Sequence, residues 1–409
     1  MECPSRRSVP AYYTWQSYAL NIASLAEAKR DKGDKMAGRE VFGTQEIQAV
    51  MDVLKRGVLF RYGFPQERQG VFTVIDFEKA FSGYMGSKYA LGVSSGSAAL
   101  KVALEALNLP QGKEVLTPCF TFVATIEAIE EAGLKPVLCE IDDTFNISPK
   151  DIRKKITKDT VAIVPVHMMG TAARIDEIMD IARENKLKVV EDTCQSTGAC
   201  LKGKKLGTFG DMGCFSFDYV KVMTTGEGGI VITDNEHLYH QADWYHDHGH
   251  PHLPDTARGE EKRARKGFNF RMNEIQGALG QVQLKKLDYV ISRQQENKQA
   301  IKSQIQDIDG LEFRRILDND GDISTFLTFL LSNRDKAEKF KERMKKYGTV
   351  PATLNYWHFI ANIEIAGGNF PESQDILSRS VSLEINTNME KHVIEQTIDA
   401  IKKSARDVN

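Results

Sequence analysis

From about residue 44, apolar positions recur with two different spacings. TQEIQAVMDVLKRG, DFEKAFSGYMG, GSAALKVALEALNLP, ATIEAIEEAG, SPKDIRKKI and RIDEIMDIARENK place them three and four apart, which predicts helices with one buried face. Between these stand short apolar runs of strand length: YALGVSS, EVLTP, PVLCEI, VAIVPVH, KVVED, GCFSFD and GIVITD. Runs without polar alternation are what a strand buried on both faces requires, and helices between them supply the cover. The pattern predicts an α/β large domain with a mostly parallel sheet.

Beyond about residue 270 the texture changes. NEIQGALGQVQLKKLDYVISRQQENKQAIKSQI reads as one long helix, a spine between two domains. Polar helices (KAEKFKERMKKYG, KHVIEQTIDAIKKS) and the strand-like FLTFLLS follow, giving a smaller α+β domain. The expected division is an N-terminal extension over 1–40, a large domain over 41–285 and a small one over 286–409. A modest amphipathic helix is expected from Trp15 to Arg30, Met36 offers an alternative start, and the core fold begins near Val41.

Composition narrows the function classes. A chain of 409 residues with 41% apolar and 27% charged residues is an ordinary globular protein large enough for more than one core. A net charge of −2 gives no electrostatic footprint for nucleic acid or an anionic membrane. No apolar run reaches bilayer length, and the basic SRR near the N-terminus lacks the apolar stretch of an export signal. The six cysteines show no CxxC spacing, so reduced thiols in a cytoplasmic protein are expected.

The chemistry concentrates in four places. SSGSAAL, Ser94 to Leu100, turns from a strand into a helix, where small residues let backbone N–H groups converge on an anion. Ser216 offers a hydroxyl to the same anion. Asp192 ends the apolar strand KVVED, at the edge where α/β folds bind ligands. Gln195 follows three residues later, and Phe122 stands in TPCFTFVAT after another strand. Lys221 lies in a small-residue loop, VKVMTTGEGG, unlike the solvated helix faces that hold most lysines here. An imine-forming lysine at one end and an aspartate that keeps a pyridinium nitrogen protonated at the other are the two requirements of pyridoxal phosphate chemistry. Singly, each residue also has an ordinary structural explanation: a solvated turn, a core aromatic, a loop lysine.

Taken in order, SSGSAAL, PCFTFVAT, PVHMMG, EDTCQ, FSFDYVK, TTGEGG and GFNFRMNEIQGALG resemble the DegT/DnrJ/EryC1/StrS sugar aminotransferases, densely over residues 40–290. The resemblance implies the aspartate aminotransferase fold (fold type I) and pyridoxal 5'-phosphate as cofactor. It implies that Lys221 binds the cofactor covalently and that Asp192 holds the pyridinium. Gln195 then contacts the ring hydroxyl, Phe122 stacks on the ring, and Gly96, Ser97 and Ser216 bind the phosphate. Asn269 in GFNFR reaches the phosphate of a neighbouring subunit, which implies a homodimer with shared sites. Relatives with histidine in place of the lysine are dehydratases; the lysine here implies amino transfer.

RYGF, VHMMG, FSFDYVK, DHGHPH and GFNFRMNE are similar, more narrowly, to members that move an amino group from L-glutamate to the C8 aldehyde of a 3-deoxy-octulosonate of lipopolysaccharide. On that reading Arg61, Tyr62, His248, His250 and His358 are candidate sugar and carboxylate contacts. The histidines of DHGHPH also fit a purely structural loop, and no metal is expected. The segment after Tyr347 departs from the family's usual proline–histidine pattern. Two other readings stay open: a nucleotide-linked keto-hexose aminotransferase, and a non-catalytic pyridoxal-binding regulator. The first 40 residues carry no helix-turn-helix or basic patch that would favour the regulator.

Overall fold

A computed structural model describes residues 37–253 and 256–408; the expected helix over 15–30 and Cys3 lie outside them. Among the described residues nine strands precede residue 240: β1 (Tyr89–Val93), β2 (Glu114–Pro118), β3 (Lys135–Cys139), β4 (Thr160–Ile163), β5 (Lys188–Asp192), the ribbon β6 (Cys200–Leu201) and β7 (Lys204–Lys205), β8 (Met212–Ser216) and β9 (Gly229–Thr233). Seven of them form one sheet in the order β1-β9-β8-β5-β4-β2-β3. Within it β9 runs against both of its neighbours, and the other pairings are parallel. The sheet is therefore mostly parallel, as the uninterrupted apolar runs require.

Side-chain alternation divides the interior into two cores. Val189, Phe215, Ile230 and Ile232 pack on one face with Phe77 and Phe81 of the Thr73–Met85 helix and with Ile178 and Ile181 of the Ile175–Asn185 helix. Val190, Cys214 and Val231 pack on the other with Leu100, Val102 and Ala103 of the Gly96–Ala106 helix. By the same parity Glu191 projects toward the first core and Asp192 toward the second, next to the helix that follows β1.

Glu191 is fully buried and anchors the end of β5. Its carboxylate accepts N–H groups from Gly207 (2.8 Å), Phe209 (2.6 Å) and Gly210 (2.7 Å). It also accepts from His167 Nε2 at 3.0 Å, whose Nδ1 in turn accepts from the Ala173 N–H. Removing a buried charge strips four donors of their acceptor. Glu191→Ala is expected to cost about 3–5 kcal/mol, checked by urea unfolding. A loss below about 1 kcal/mol, the worth of one ordinary hydrogen bond, would contradict the role.

The second sheet is antiparallel and later in sequence: β10 (Glu312–Phe313), β11 (Phe326–Leu330) and β12 (Ser380–Glu384), in that order. Leu327, Phe329 and Val381 form a separate core with Phe340 of the Arg334–Lys346 helix and Ile401 of the Lys391–Val408 helix. The Glu274–Lys302 helix runs for 29 residues and starts with a reciprocal cap between Asn273 and Gln276. Among the described residues no helix is long and apolar enough to cross a membrane.

Candidate active site

The carboxyl ends of β1, β2, β5 and β8 lie along one edge of the sheet, where the chain leaves the strands and backbone groups are free to meet a ligand. A cavity of about 270 Å³ opens there. Gly96, Ser97, Phe122, Asp192, Gln195, Ser216, Lys221 and His358 all line it. Eight residues named from the sequence, taken from four strand ends and a C-terminal turn, thus share one space.

The phosphate end is built around the start of the Gly96–Ala106 helix. The first N–H groups of a helix have no intrahelical acceptor. The Ser95 side chain caps Ala98 at 3.0 Å, leaving the N–H groups of Gly96 and Ser97 for a ligand. A side chain at residue 96 is excluded: its Cβ would lie 2.6 Å from Cβ and 2.9 Å from Oγ of Ser216. Glycine therefore lets the buried Ser216 hydroxyl close onto the helix terminus, which makes a compact anion cradle.

Asp192 forms the opposite end. It is 4% exposed, with Oδ2 accepting from Thr125 Oγ1 at 2.8 Å and Oδ1 from the Cys194 N–H at 3.1 Å. Thr121 hydroxyl meets that of Thr125 at 2.8 Å, so a short hydroxyl chain fixes the carboxylate. An ionised carboxylate accepts more than two hydrogen bonds, so acceptor capacity remains for a ring N–H. Gln195 accepts the Met169 N–H through Oε1 at 3.1 Å, which leaves its NH₂ to donate. Burial and the neighbouring Asp192 charge push the Cys194 thiol well above its ordinary pKa, so it lines the cavity as a neutral group.

Lys221 is half-buried beside these groups. Its loop turns on the Asp218 carboxylate, which accepts the Val220 N–H at 3.0 Å, and on the Asp218 carbonyl, which accepts the Lys221 N–H at 3.0 Å. His358 comes from a single π-helical turn, Tyr356–Ile360, held to the loop after β2. The Thr121 N–H donates to the His358 carbonyl (2.9 Å) and the Val123 N–H to that of Trp357 (3.0 Å). The segment that departs from the family pattern thus delivers an imidazole to the cavity, its ring centroid 5.7 Å from that of Phe122.

Burial and the Lys221 charge depress His358 to about 4, so the ring is neutral at pH 7. In the unfolded chain it titrates at about 6.5. Between those values the unfolded state binds more protons, so stability is lost as pH falls from 6.5 toward 4. His358→Gln is expected to flatten the fall of melting temperature across that window. An unchanged slope would place the imidazole in solvent.

The other named residues lie elsewhere. Arg61 is buried and its Nη2 is 2.7 Å from the Glu78 carboxylate, so its charge is spent on a structural pair rather than presented to this cavity. The Tyr62 hydroxyl meets His246 Nε2 at 3.1 Å, and its ring stacks on His252 at 4.2 Å. His250 pairs with Glu261 at 2.7 Å, while His248 is exposed beside Phe268. DHGHPH thereby folds its own loop, with Asp247 gripped by both Nη atoms of Arg258 at 2.6 Å. Asn269 is exposed and outside this chain's cavity. The five cysteines of the described residues are all unpaired. Sequence reasoning missed Thr125 and Thr121, whose signal was two hydroxyls four apart, on one face of a turn leading into a helix.

Comparison with known proteins decides the family. The family model of the DegT/DnrJ/EryC1/StrS aminotransferases matches residues 42–402. The chain belongs to that family. An uncharacterised protein of Methanocaldococcus jannaschii is 33% identical over 387 residues, spanning 89% of this chain and 96% of its own. GDP-perosamine synthase of Caulobacter vibrioides is 36% identical over 221 residues, 53% of this chain and 57% of that enzyme. The X-ray structure of an aminotransferase from Psychrobacter cryohalolentis superposes with a TM-score of 0.82 at 28% identity, covering 90% of this chain and 98% of that one. The fold is the pyridoxal phosphate-dependent aminotransferase fold, and the protein is a pyridoxal phosphate-dependent sugar aminotransferase. The glycine-enforced anion cradle and the buried, partly satisfied Asp192 carboxylate fit that cofactor.

Proposed function

We propose that this enzyme takes the amino group of L-glutamate and places it on the C8 aldehyde of a 3-deoxy-octulosonate used in lipopolysaccharide. The observation that carries amino transfer is the placement of Lys221 and Asp192 on one cavity, with the anion cradle of Gly96, Ser97 and Ser216 between the strand ends. When bound, the cofactor carries the amino group between the two substrates and accepts the electron pair left at the donor carbon.

The chain's own residues supply the rest. Lys221 attaches the cofactor and, once displaced, takes the proton from Cα of glutamate. In the second half it returns a proton to the sugar carbon that receives nitrogen. Asp192 keeps the ring nitrogen protonated, and Thr125 holds Asp192 in line. Gln195 donates to the ring hydroxyl, Phe122 covers a ring face, and His358 closes the side toward the substrate.

A homodimer completes the site in this reading. Asn269 stands exposed and away from its own cavity, where it can reach a second copy's phosphate cradle. Ile47, Met51 and Leu54, spaced along one face of the Thr44–Arg56 helix, are 41%, 38% and 48% exposed and favour burial in that second copy.

A nucleotide-linked keto-hexose is the competing acceptor, favoured by the likeness to GDP-perosamine synthase. The two are separated by loading the enzyme with amine from glutamate, adding each sugar class, and following return of the visible absorption of the lysine-bound cofactor. Return with the octulosonate aldehyde alone supports the proposal; return with the GDP-linked keto-hexose alone overturns it.

A further inference from the structure

The carbonyl of the cofactor-binding lysine finds its hydrogen bond outside its own loop. The donor is the Gly38 N–H, at 3.1 Å, in the short helical turn Ala37–Glu40. Gly38 is buried flat against the loop: a Cβ there would lie 2.7 Å from the Lys221 carbonyl oxygen and 3.0 Å from Met223 Cα and Thr224 N. All three contacts are backbone, so no side-chain rotation relieves them. Arg39 lays its guanidinium over the ring of Tyr219, 5.2 Å from its centroid and two residues before the lysine.

This turn is itself tied down where it leaves toward the Thr44–Arg56 helix. Asn388, near the start of the C-terminal helix, donates its N–H to the Glu40 carboxylate (2.8 Å) and its side-chain amide to the Glu40 carbonyl (3.1 Å). One residue later Lys286 donates to the Val41 carbonyl (2.8 Å), and it also donates to both Glu46 oxygens (2.7 and 2.9 Å). Gln283 closes the circuit, donating to Glu46 at 2.8 Å and accepting the Thr224 N–H at 3.3 Å. The lysine's loop is thus braced from outside at residues 219, 221 and 224.

We propose that the Ala37–Glu40 turn is a positioning strap for Lys221, with Gly38 setting the height of the lysine's backbone and so the reach of its amine into the cavity. Neither Gly38 nor Arg39 lines the cavity; they act through the loop. The proposal rests on the reading of Lys221 as the cofactor-binding amine. An error of an ångström at a reacting group costs about a hundredfold in rate, so the few tenths that a methyl group forces here are expected to cost about tenfold.

The test compares Gly38→Ala with Gly43→Ala in the full-length holoenzyme, because nothing lies within 4 Å of a Cβ built on Gly43. Gly38→Ala is expected to lower kcat about tenfold while KM for glutamate moves less than about twofold. It should shift the pH midpoint of the lysine-bound cofactor's visible band. In the apoenzyme it should speed amide exchange at Lys221 to Thr224 selectively. Gly43→Ala should match wild type in all of these. An unchanged kcat, band and exchange in Gly38→Ala overturns the strap, as does an equal effect of both variants. If Gly38→Ala does not fold, Arg39→Ala decides, with an expected two- to fivefold loss of kcat, roughly the worth of an exposed cation–π contact; an unchanged kcat overturns the proposal. Failure of the underlying reading is separate, since it would appear as a visible band that survives Lys221→Ala.

Discussion

Lys221→Ala is expected to lose the visible band of the lysine-bound cofactor and to slow amino transfer from glutamate by more than about a thousandfold. Two roles end together in this variant. Covalent attachment disappears, and so does the base that takes the Cα proton, which alone is worth about 10²–10⁴-fold. The substitution removes a half-buried side chain at the cavity wall rather than a core residue, so the fold survives and the loss reads as chemistry. Single-turnover mixing with glutamate checks it. A variant that still forms 2-oxoglutarate at the wild-type rate would remove Lys221 from the mechanism.

Asp192→Asn is expected to cost about 10²–10³-fold in the same half-reaction, the range for removing one preorganised electrostatic partner of the reacting group. Asparagine keeps the volume and one carbonyl oxygen to accept from Thr125 or Cys194, but it is neutral and cannot hold a ring N–H as an ion pair. The rate should therefore fall while cofactor occupancy and KM for glutamate change far less. Adding Thr125→Val to the wild-type background should act in the same direction and more weakly, because it removes one hydrogen bond to the carboxylate and leaves the charge. Full activity in Asp192→Asn would mean that the carboxylate is only a buried structural group.

Much of the site could be read from residues because strand ends are legible. Asp192, Ser216 and the Ser94–Gly96 turn each close an apolar run, and the α/β architecture sends all such ends to one edge. What stayed hidden lies in contacts distant in sequence. The Glu236–His246 helix went unnoticed because its aromatic and histidine content blurs the apolar spacing, although Asn235 caps it at Leu238. Arg61 read as a candidate sugar or carboxylate contact, yet it pairs with Glu78 of the following helix, and no local pattern announces a partner seventeen residues away. The histidines of DHGHPH suggested a ligand site, but His252 stacks on Tyr62 and His250 pairs with Glu261, while His248 stays exposed outside the cavity. Gly38 was invisible for the same reason: its importance resides in a backbone carbonyl at residue 221.

The most direct trial of the central claim is borohydride reduction of the holoenzyme followed by digestion and mass spectrometry. The expected result is a single reduced pyridoxyl adduct, on the peptide that carries Lys221, and its absence when glutamate is added first. An adduct on any other lysine, or none at residue 221, would contradict the account.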